Sequence, residues 1–265
     1  MKTVSITLVI FALAFAGTIF SKSSFSKSNV DVIEKSFNVA SKGTLRLDTD
    51  SGSISVESHN SETVDVRVEL KGKLRDNMKI GFDHDGADLT VQGDRESSFS
   101  WGFNNGNAKF IIKVPRHYDL ALKTSGGSIQ LSSLTGTVKA RTSGGSIKLD
   151  QINGDVKVKT SGGSIKVDEV SGAIDAKTSG GSIKLRMTEQ PKHDSQLRTS
   201  GGSVKAYLTL GIAVDLTAST SGGSVSTDFN VNGSVRRTSI AGEINGGGPK
   251  LKLHTSGGSV KIEKI

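Results

Sequence analysis

The chain has 265 residues with a net charge of +8, and it holds 32 Gly, 3 Pro and no Cys. The lack of Cys excludes a disulfide scaffold, a thiolate metal site and a thiol nucleophile together. Aromatic residues make up only 5%, so a core has to come from small β-branched and aliphatic side chains. The positive charge favours anionic partners such as nucleic acid, acidic polysaccharide or lipid head groups, without choosing among them.

Met1-Lys2 is a minimal positive segment, Val4 to Ala16 is apolar apart from Ser5 and Thr7, and Ala14-Phe15-Ala16 gives a small-x-small pattern ahead of Gly17. Residues 1–16 read as a secretory signal peptide, which implies a secreted, periplasmic or cell-surface protein with no membrane span after cleavage. An uncleaved anchor running to Phe20 is the alternative, short against the roughly 20 residues a spanning helix needs. No Cys follows the apolar run, which excludes lipoprotein anchoring.

Residues 17–36 are expected to be a flexible lead-in, Ser-rich from Ser21 to Asn29. A single β domain is expected over 37–265, irregular over 37–117 and regular over 118–265. Thr44-Leu45-Arg46-Leu47 and Ser53-Ile54-Ser55-Val56 alternate apolar with polar. Thr63 to Leu70 is the longest strict alternation, a half-buried strand with Val64, Val66, Val68 and Leu70 inward. Asp50-Ser51-Gly52-Ser53-Ile54 looks like a worn copy of a corner that recurs later. Two short strands flank a turn at Asp83 to Gly86. A polar loop from Asp94 to Asn107 carries Phe99, Trp101 and Phe103, read as covering a solenoid edge rather than contacting sugars. Phe110 to Val114 is a buried strand ended by Pro115.

The rest of the chain is ruled by one phrase. Thr-Ser-Gly-Gly-Ser followed by Ile or Val starts at Thr124, Thr142, Thr160, Thr178, Thr199, Thr220 and Thr255, with a degenerate copy at Thr238. The first three intervals are 18 residues. Each period divides into two nonapeptides, such as Leu134 to Thr142 and Ser143 to Gln151. Each nonapeptide is a Gly corner followed by a strand with two inward apolar residues. This predicts an all-β fold: a single-stranded, right-handed parallel β-solenoid of 18-residue, two-strand coils around a thin aliphatic core, with looser coils at the N-terminus. Gly127, Gly145, Gly163, Gly181, Gly202, Gly223 and Gly258 are the structural corners, needed for positive φ or close backbone approach. Ser and Thr beside them are expected to bond to backbone groups left unpaired by the turn. Regularity breaks at Met187 to Gln196, where a loop should protrude, and at Asn245-Gly246-Gly247-Gly248-Pro249. The coil after the second break shows no terminal cap, and an uncovered end invites pairing with another chain.

Function is sought on the outward positions. The residue before each Thr reads Lys123, Arg141, Lys159, Lys177 and Arg198, and the residue after each Ile or Val reads Gln130, Lys148, Lys166, Lys184, Lys205, Ser226 and Lys261. Columns of like charge about 5 Å apart repel unless counter-charges or a polyanion neutralise them. A linear anionic ligand along the axis is one reading. Lysines that keep short strands soluble and unaggregated are the other. Asp150, Asp168 and Glu169 partly offset the second column. No cofactor, metal or catalytic residue is expected. The five His show no metal-binding spacing, Asp83-His84-Asp85 reads as a polar turn, and no nucleophile elbow, phosphate loop or dinucleotide fingerprint occurs. Asp150 and Asp168 on one column leave a polysaccharide-cleaving β-helix as a remote alternative. Calcium β-rolls place Asp where this chain has Lys148, Lys166 and Lys184, so a calcium site is disfavoured.

Val114-Pro115, Tyr118 and Leu120, then Lys123 to Ile129, the tandem coils and Ile244-Asn245-Gly246-Gly247-Gly248-Pro249 follow one another in an order that resembles the bacterial putative-adhesin family of β-solenoid envelope proteins, a domain of unknown function. The likeness covers about residues 37–265. It implies a β-solenoid, an extracytoplasmic location and no established catalytic residues. The expectation is a non-enzymatic, adhesin-like envelope protein that binds anionic polysaccharide or another envelope polymer, and nucleic acid is not the partner expected there. The alternative is a scaffold or envelope-stress sensor that self-associates through the open C-terminal coil.

Overall fold

A computed structural model describes residues 30–40, 42–96 and 106–265. The segment expected to be a signal peptide and the loop expected to carry Phe99, Trp101 and Phe103 lie outside the described residues. The first strands are β1 (Val30–Asn38), β2 (Thr44–Thr49), β3 (Ser53–His59) and β4 (Thr63–Gly72). One helical turn, α1 (Leu74–Asn77), precedes β5 (Met78–Asp85), β6 (Asp88–Arg95) and β7 (Gly106–Pro115). The regular coils pair β8 (Asp119–Thr124) with β9 (Ile129–Thr135), β10 (Val138–Thr142) with β11 (Ile147–Asn153), and β12 (Val156–Lys159) with β13 (Ile165–Val170). Then come β14 (Ile174–Lys177) with β15 (Ile183–Met187), β16 (Ser195–Thr199) with β17 (Val204–Leu208), and β18 (Val214–Thr220) with β19 (Val225–Thr227). The chain continues through β20 (Asn232–Arg236), β21 (Ser239–Ile244), β22 (Lys250–Thr255) and β23 (Val260–Lys264).

These strands form two facing sheets, all-β and parallel in the coils as expected. Sheet I runs β1-β4-β7-β3-β9-β11-β13-β15-β17-β23-β19, and sheet II runs β20-β21-β18-β22-β16-β14-β12-β10-β8-β2-β6-β5. Apolar residues two apart fill the space between them: Val138 and Ala140 from β10 face Ile147 and Leu149 from β11, all buried. Period two alone does not take the chain around the corner. Ser133, Gln151 and Glu169 stack in the left-handed region (φ 58°, 53° and 54°). That kink returns Leu134, Ile152 and Val170 to the core only three residues after Leu131, Leu149 and Val167.

The Thr-Ser-Gly-Gly-Ser corner is held by its own side chains. Each Thr is buried and donates to the carbonyl of the neighbouring coil, as Thr142 Oγ1 does to Gly127 O at 2.7 Å and Thr160 Oγ1 to Gly145 O at 2.7 Å. Each final Ser continues the stack, Ser146 N–H donating to Ser128 Oγ at 3.2 Å. Of the two reasons expected for the corner glycines, close approach is the operative one. A Cβ on Gly145 would lie 2.1 Å from the Gly127 carbonyl oxygen, whereas the positive-φ glycines lie at other positions.

The N-terminal part departs from looser parallel coils. The expected worn corner is real: Thr124 Oγ1 donates to Gly52 O at 2.8 Å, so β2 and β3 form a coil under β8 and β9. The long alternating strand β4, however, lies antiparallel to both β1 and β7, and β5 and β6 form an antiparallel hairpin. Of these strands, only β5 and β6 are joined directly by a tight turn; β1, β4 and β7 meet across intervening strands. The lead-in expected to 36 is also too long, because β1 starts at Val30 and pairs with β4 along its whole length. Phe37 and Phe82, with ring centroids 5.7 Å apart, bring β1 and β5 together across the two sheets.

Two expectations at the C-terminal end are corrected. The degenerate copy at Thr238 is not a coil: β20 and β21 form an antiparallel hairpin, and β21 covers the outer edge of β18. Nor is the last coil in sequence the last in space. β22 lies parallel between β16 and β18, and β23 between β17 and β19. The C-terminal coil is therefore interior, with Val260 and Ile262 fully buried, and the short β19 takes the edge of sheet I.

Candidate ligand-binding face

Outward side chains at one register position stack in columns, and the two sheets present different ones. On sheet I, Gln130, Lys148, Lys166, Lys184, Lys205, Lys261 and Ser226 are in register. The adjacent column, two residues along, is Ser132, Asp150, Asp168, Arg186, Tyr207 and Glu263. Charge on this face is answered in part: Lys148, Lys205 and Lys261 make no ion pair among the described residues, but acids stand in the neighbouring column beside Lys148, Lys166 and Lys261. Lys166 pairs with Asp168, and Lys184 Nζ sits 4.6 Å from the centroid of the Tyr207 ring. Asp168, one of the two carboxylates of the remote hydrolytic alternative, is thus held by a lysine.

On sheet II, Lys123, Arg141, Lys159, Lys177 and Arg198 are in register, continued by His254 and Ser219. Two rungs of this ladder are neutralised: Lys123 Nζ is 2.7 Å from Asp48, and Lys177 Nζ is 3.0 Å from Asp175. The two rungs between them are not. The adjacent column carries Lys139 beside Lys157, so Lys139, Arg141, Lys157 and Lys159 form a two-by-two lattice. All four are exposed, and none makes an ion pair among the described residues. At spacings of about 5 Å each like-charge contact costs on the order of 1 kcal/mol in water, a cost that a bound anion removes.

An open groove of about 520 Å³ runs across this face from Thr137 to Lys252, with Lys139, Lys157, Lys250 and Lys252 on its walls. Its acids already hold the coils together. Asp155 Oδ1 accepts from the Ala173 N–H at 2.9 Å, Asp194 Oδ1 from the Lys250 N–H at 2.8 Å, and Asp175 pairs with Lys177. Lys139, Lys157 and Lys252 escaped the sequence reading. They occupy the outward position between the two apolar residues of the other half-coil, as in Val138-Lys139-Ala140 and Val156-Lys157-Val158, so the same nonapeptide arithmetic contains them.

Other candidates are structural. His84 Nε2 lies 3.0 Å from Gly86 O in the β5–β6 turn. Tyr118 is buried and donates to the Ala87 carbonyl; desolvation, aided by the Asp88 charge, pushes its pKa up to about 12. Among the described residues, no group of three or more His, Cys, Asp or Glu is placed to hold a metal, and no helix is long and apolar enough to cross a membrane.

Stacked coils of this kind define a class of β-solenoid repeat proteins. The chain belongs to the Toastrack DUF4097 family, whose model matches residues 43–156 and again 136–263. Among solved structures, the chain is similar to a putative cell adhesion protein from Clostridium sporogenes (15% identity, 89% of this chain and 100% of that one, TM-score 0.43). It is also similar to a putative adhesin from Bacteroides fragilis (14%, 91% and 98%, TM-score 0.43) and to a putative lipid binding protein from Parabacteroides distasonis (13%, 90% and 98%, TM-score 0.32). No curated protein matches the chain.

Proposed function

We propose that this protein is a non-enzymatic, adhesin-like module of the bacterial cell envelope that binds a linear polyanion across the outer face of sheet II. The unneutralised lattice of Lys139, Arg141, Lys157 and Lys159 carries the reading. Its rungs repeat along the solenoid axis at the inter-strand spacing of about 4.8 Å, so a chain of evenly spaced phosphates, sulfates or uronates meets a cation at each step. The parallel backbone holds the lattice rigid, which limits the ordering cost of binding to the lysine side chains themselves. The signal-like N-terminus supports an extracytoplasmic location for such a ligand. The lysine column of sheet I is the weaker candidate, because Asp168 and Tyr207 engage Lys166 and Lys184 and its neighbouring column carries acids rather than further lysines.

The test is retention on heparin-like and lipopolysaccharide resins. Changing Lys139, Arg141, Lys157 and Lys159 together to Gln should move elution to markedly lower salt. The triple change Lys148→Gln, Lys166→Gln and Lys184→Gln should have a smaller effect despite removing nearly as much charge. Equal losses from both sets would mean that net charge alone drives retention, and the site would be lost.

A further inference from the structure

The two breaks in the repeat meet in space and frame the C-terminal coil. In the first, Gln190 reaches across the inserted coil: its Nε2 donates to Ala213 O at 2.8 Å and its Oε1 accepts from the Ala213 N–H at 2.8 Å. This clasp ties the start of β18 to the loop after β15 without using any residue of β22 or β23. In the second, Asn245 Nδ2 donates to Leu210 O and Ile212 O, each at 2.8 Å, and the Gly248 N–H donates to Asp215 Oδ1 at 3.2 Å. On the far side, the hairpin strand β21 pairs with β18 from Val214↔Ile244 to Ser219↔Ser239. The body thus has its own means of holding the two walls of a slot one coil wide. Residues 250–265 fill that slot through backbone pairing and the repeated corner: Thr255 Oγ1 donates to Gly202 O at 2.5 Å, and Thr220 Oγ1 donates to Gly258 O at 2.6 Å. The connector is a glycine hinge, Gly246 and Gly247 standing at φ 88° and 79°.

We propose that the slot between β16/β17 and β18/β19 is an interaction surface whose partner is the C-terminal coil of a second copy, so that two chains exchange residues 250–265 across opened Asn245–Pro249 hinges. Every contact of the coil with the slot is the same whether the coil comes from the same chain or another. Only the hinge and the protein concentration then set the balance between monomer and exchanged dimer. Exchange requires both sheets to open at the slot, so it occurs during folding and is trapped afterwards. Lys250 and Lys252 of the coil share a groove with Lys139 and Lys157, but exchange leaves those residues in the same places, so the proposal stands whether or not that face binds a polyanion.

The absence of native Cys permits a direct test. Ser200 and Ser256 are exposed neighbours in the corner stack, the Gly257 N–H donating to Ser200 O at 2.8 Å. Their Cα separation of about 4.8 Å is within disulfide range. The chain carrying both Ser200→Cys and Ser256→Cys, refolded dilute, should close an intrachain disulfide in the monomer. The two single variants, Ser200→Cys and Ser256→Cys with distinguishable tags, should form a covalent heterodimer when co-refolded at high concentration, well above either homodimer. They should not form it when mixed after folding. Intrachain closure in the double variant with no heterodimer excess at any concentration would overturn the proposal. Failure of the intrachain closure would overturn it as well, because the coil would then not occupy the slot.

Discussion

At the residue scale, the two glycines of each corner have different duties. A Cβ on Gly145 would meet the Gly127 carbonyl at 2.1 Å and nothing there can yield, because the clashing atoms are backbone of the next coil. On Gly144 the nearest atom would be 3.7 Å away, an ordinary contact. Gly145→Ala should therefore cost about 2–3 kcal/mol in denaturant unfolding, whereas Gly144→Ala should fall within about 1 kcal/mol. Tyr118 gives a pH signature. A phenol whose folded-state pKa is raised keeps its proton longer when folded, so its contribution is constant below the unfolded value of 10 and is lost as pH rises from 10 towards about 12. Stability measured across that window should decline, and Tyr118→Phe should flatten the decline while lowering stability at neutral pH through the lost bond to Ala87.

At the element scale, the sharp departure from alternation is the left-handed residue near the end of β9, β11 and β13. Ser133, Gln151 and Glu169 hold it without the freedom of glycine, and a β-branched residue tolerates that region worst. Gln151→Val should lower stability by about 1–2 kcal/mol. Gln151→Gly should stay within about 1 kcal/mol, since relief of strain is offset by greater freedom in the unfolded chain. Circular dichroism during denaturant unfolding separates the two. The inward residues of these strands were legible because period two and the nonapeptide both mark them. The kink was not, since no glycine advertises it: three different residue types occupy the column, and only the inward return of Leu134, Ile152 and Val170 requires it. On the outward side, the nonapeptide named the columns, but which column is neutralised depends on what stands beside it in the same sheet.

At the scale of the whole molecule, coil order in space differs from coil order in sequence, and hydrogen exchange reads the difference. The amides of Leu253 and Ile262 lie in strands paired on both sides and should exchange only with global opening. Those of β19 and β20, at the sheet edges, should exchange first. A terminal coil in sequential order would give the reverse ranking. The same insertion moves the open edge away from the C-terminal residues, where the sequence had located self-association, to a three-residue strand in sheet I and a hairpin bearing Arg236 in sheet II. Short and charged edges are poor templates for pairing.

The sequence by itself determined the coil. An 18-residue period, two nonapeptides per period and a Thr-Ser-Gly-Gly-Ser corner leave one way to bury Ile, Val and Leu while satisfying the turn, and the parallel two-sheet stack follows from local chemistry repeated. Tertiary structure decided where each coil stands and which charges are left unanswered. Identical corners make the coils interchangeable in energy, so their order rests on a few long-range contacts. The clasp of Gln190 on Ala213 and the hairpin over β18 are among these, and no local pattern reveals them. The opening phrase of the repeat is thus a stacking device, and the candidate binding lattice is the by-product of two of its outward columns meeting on one face.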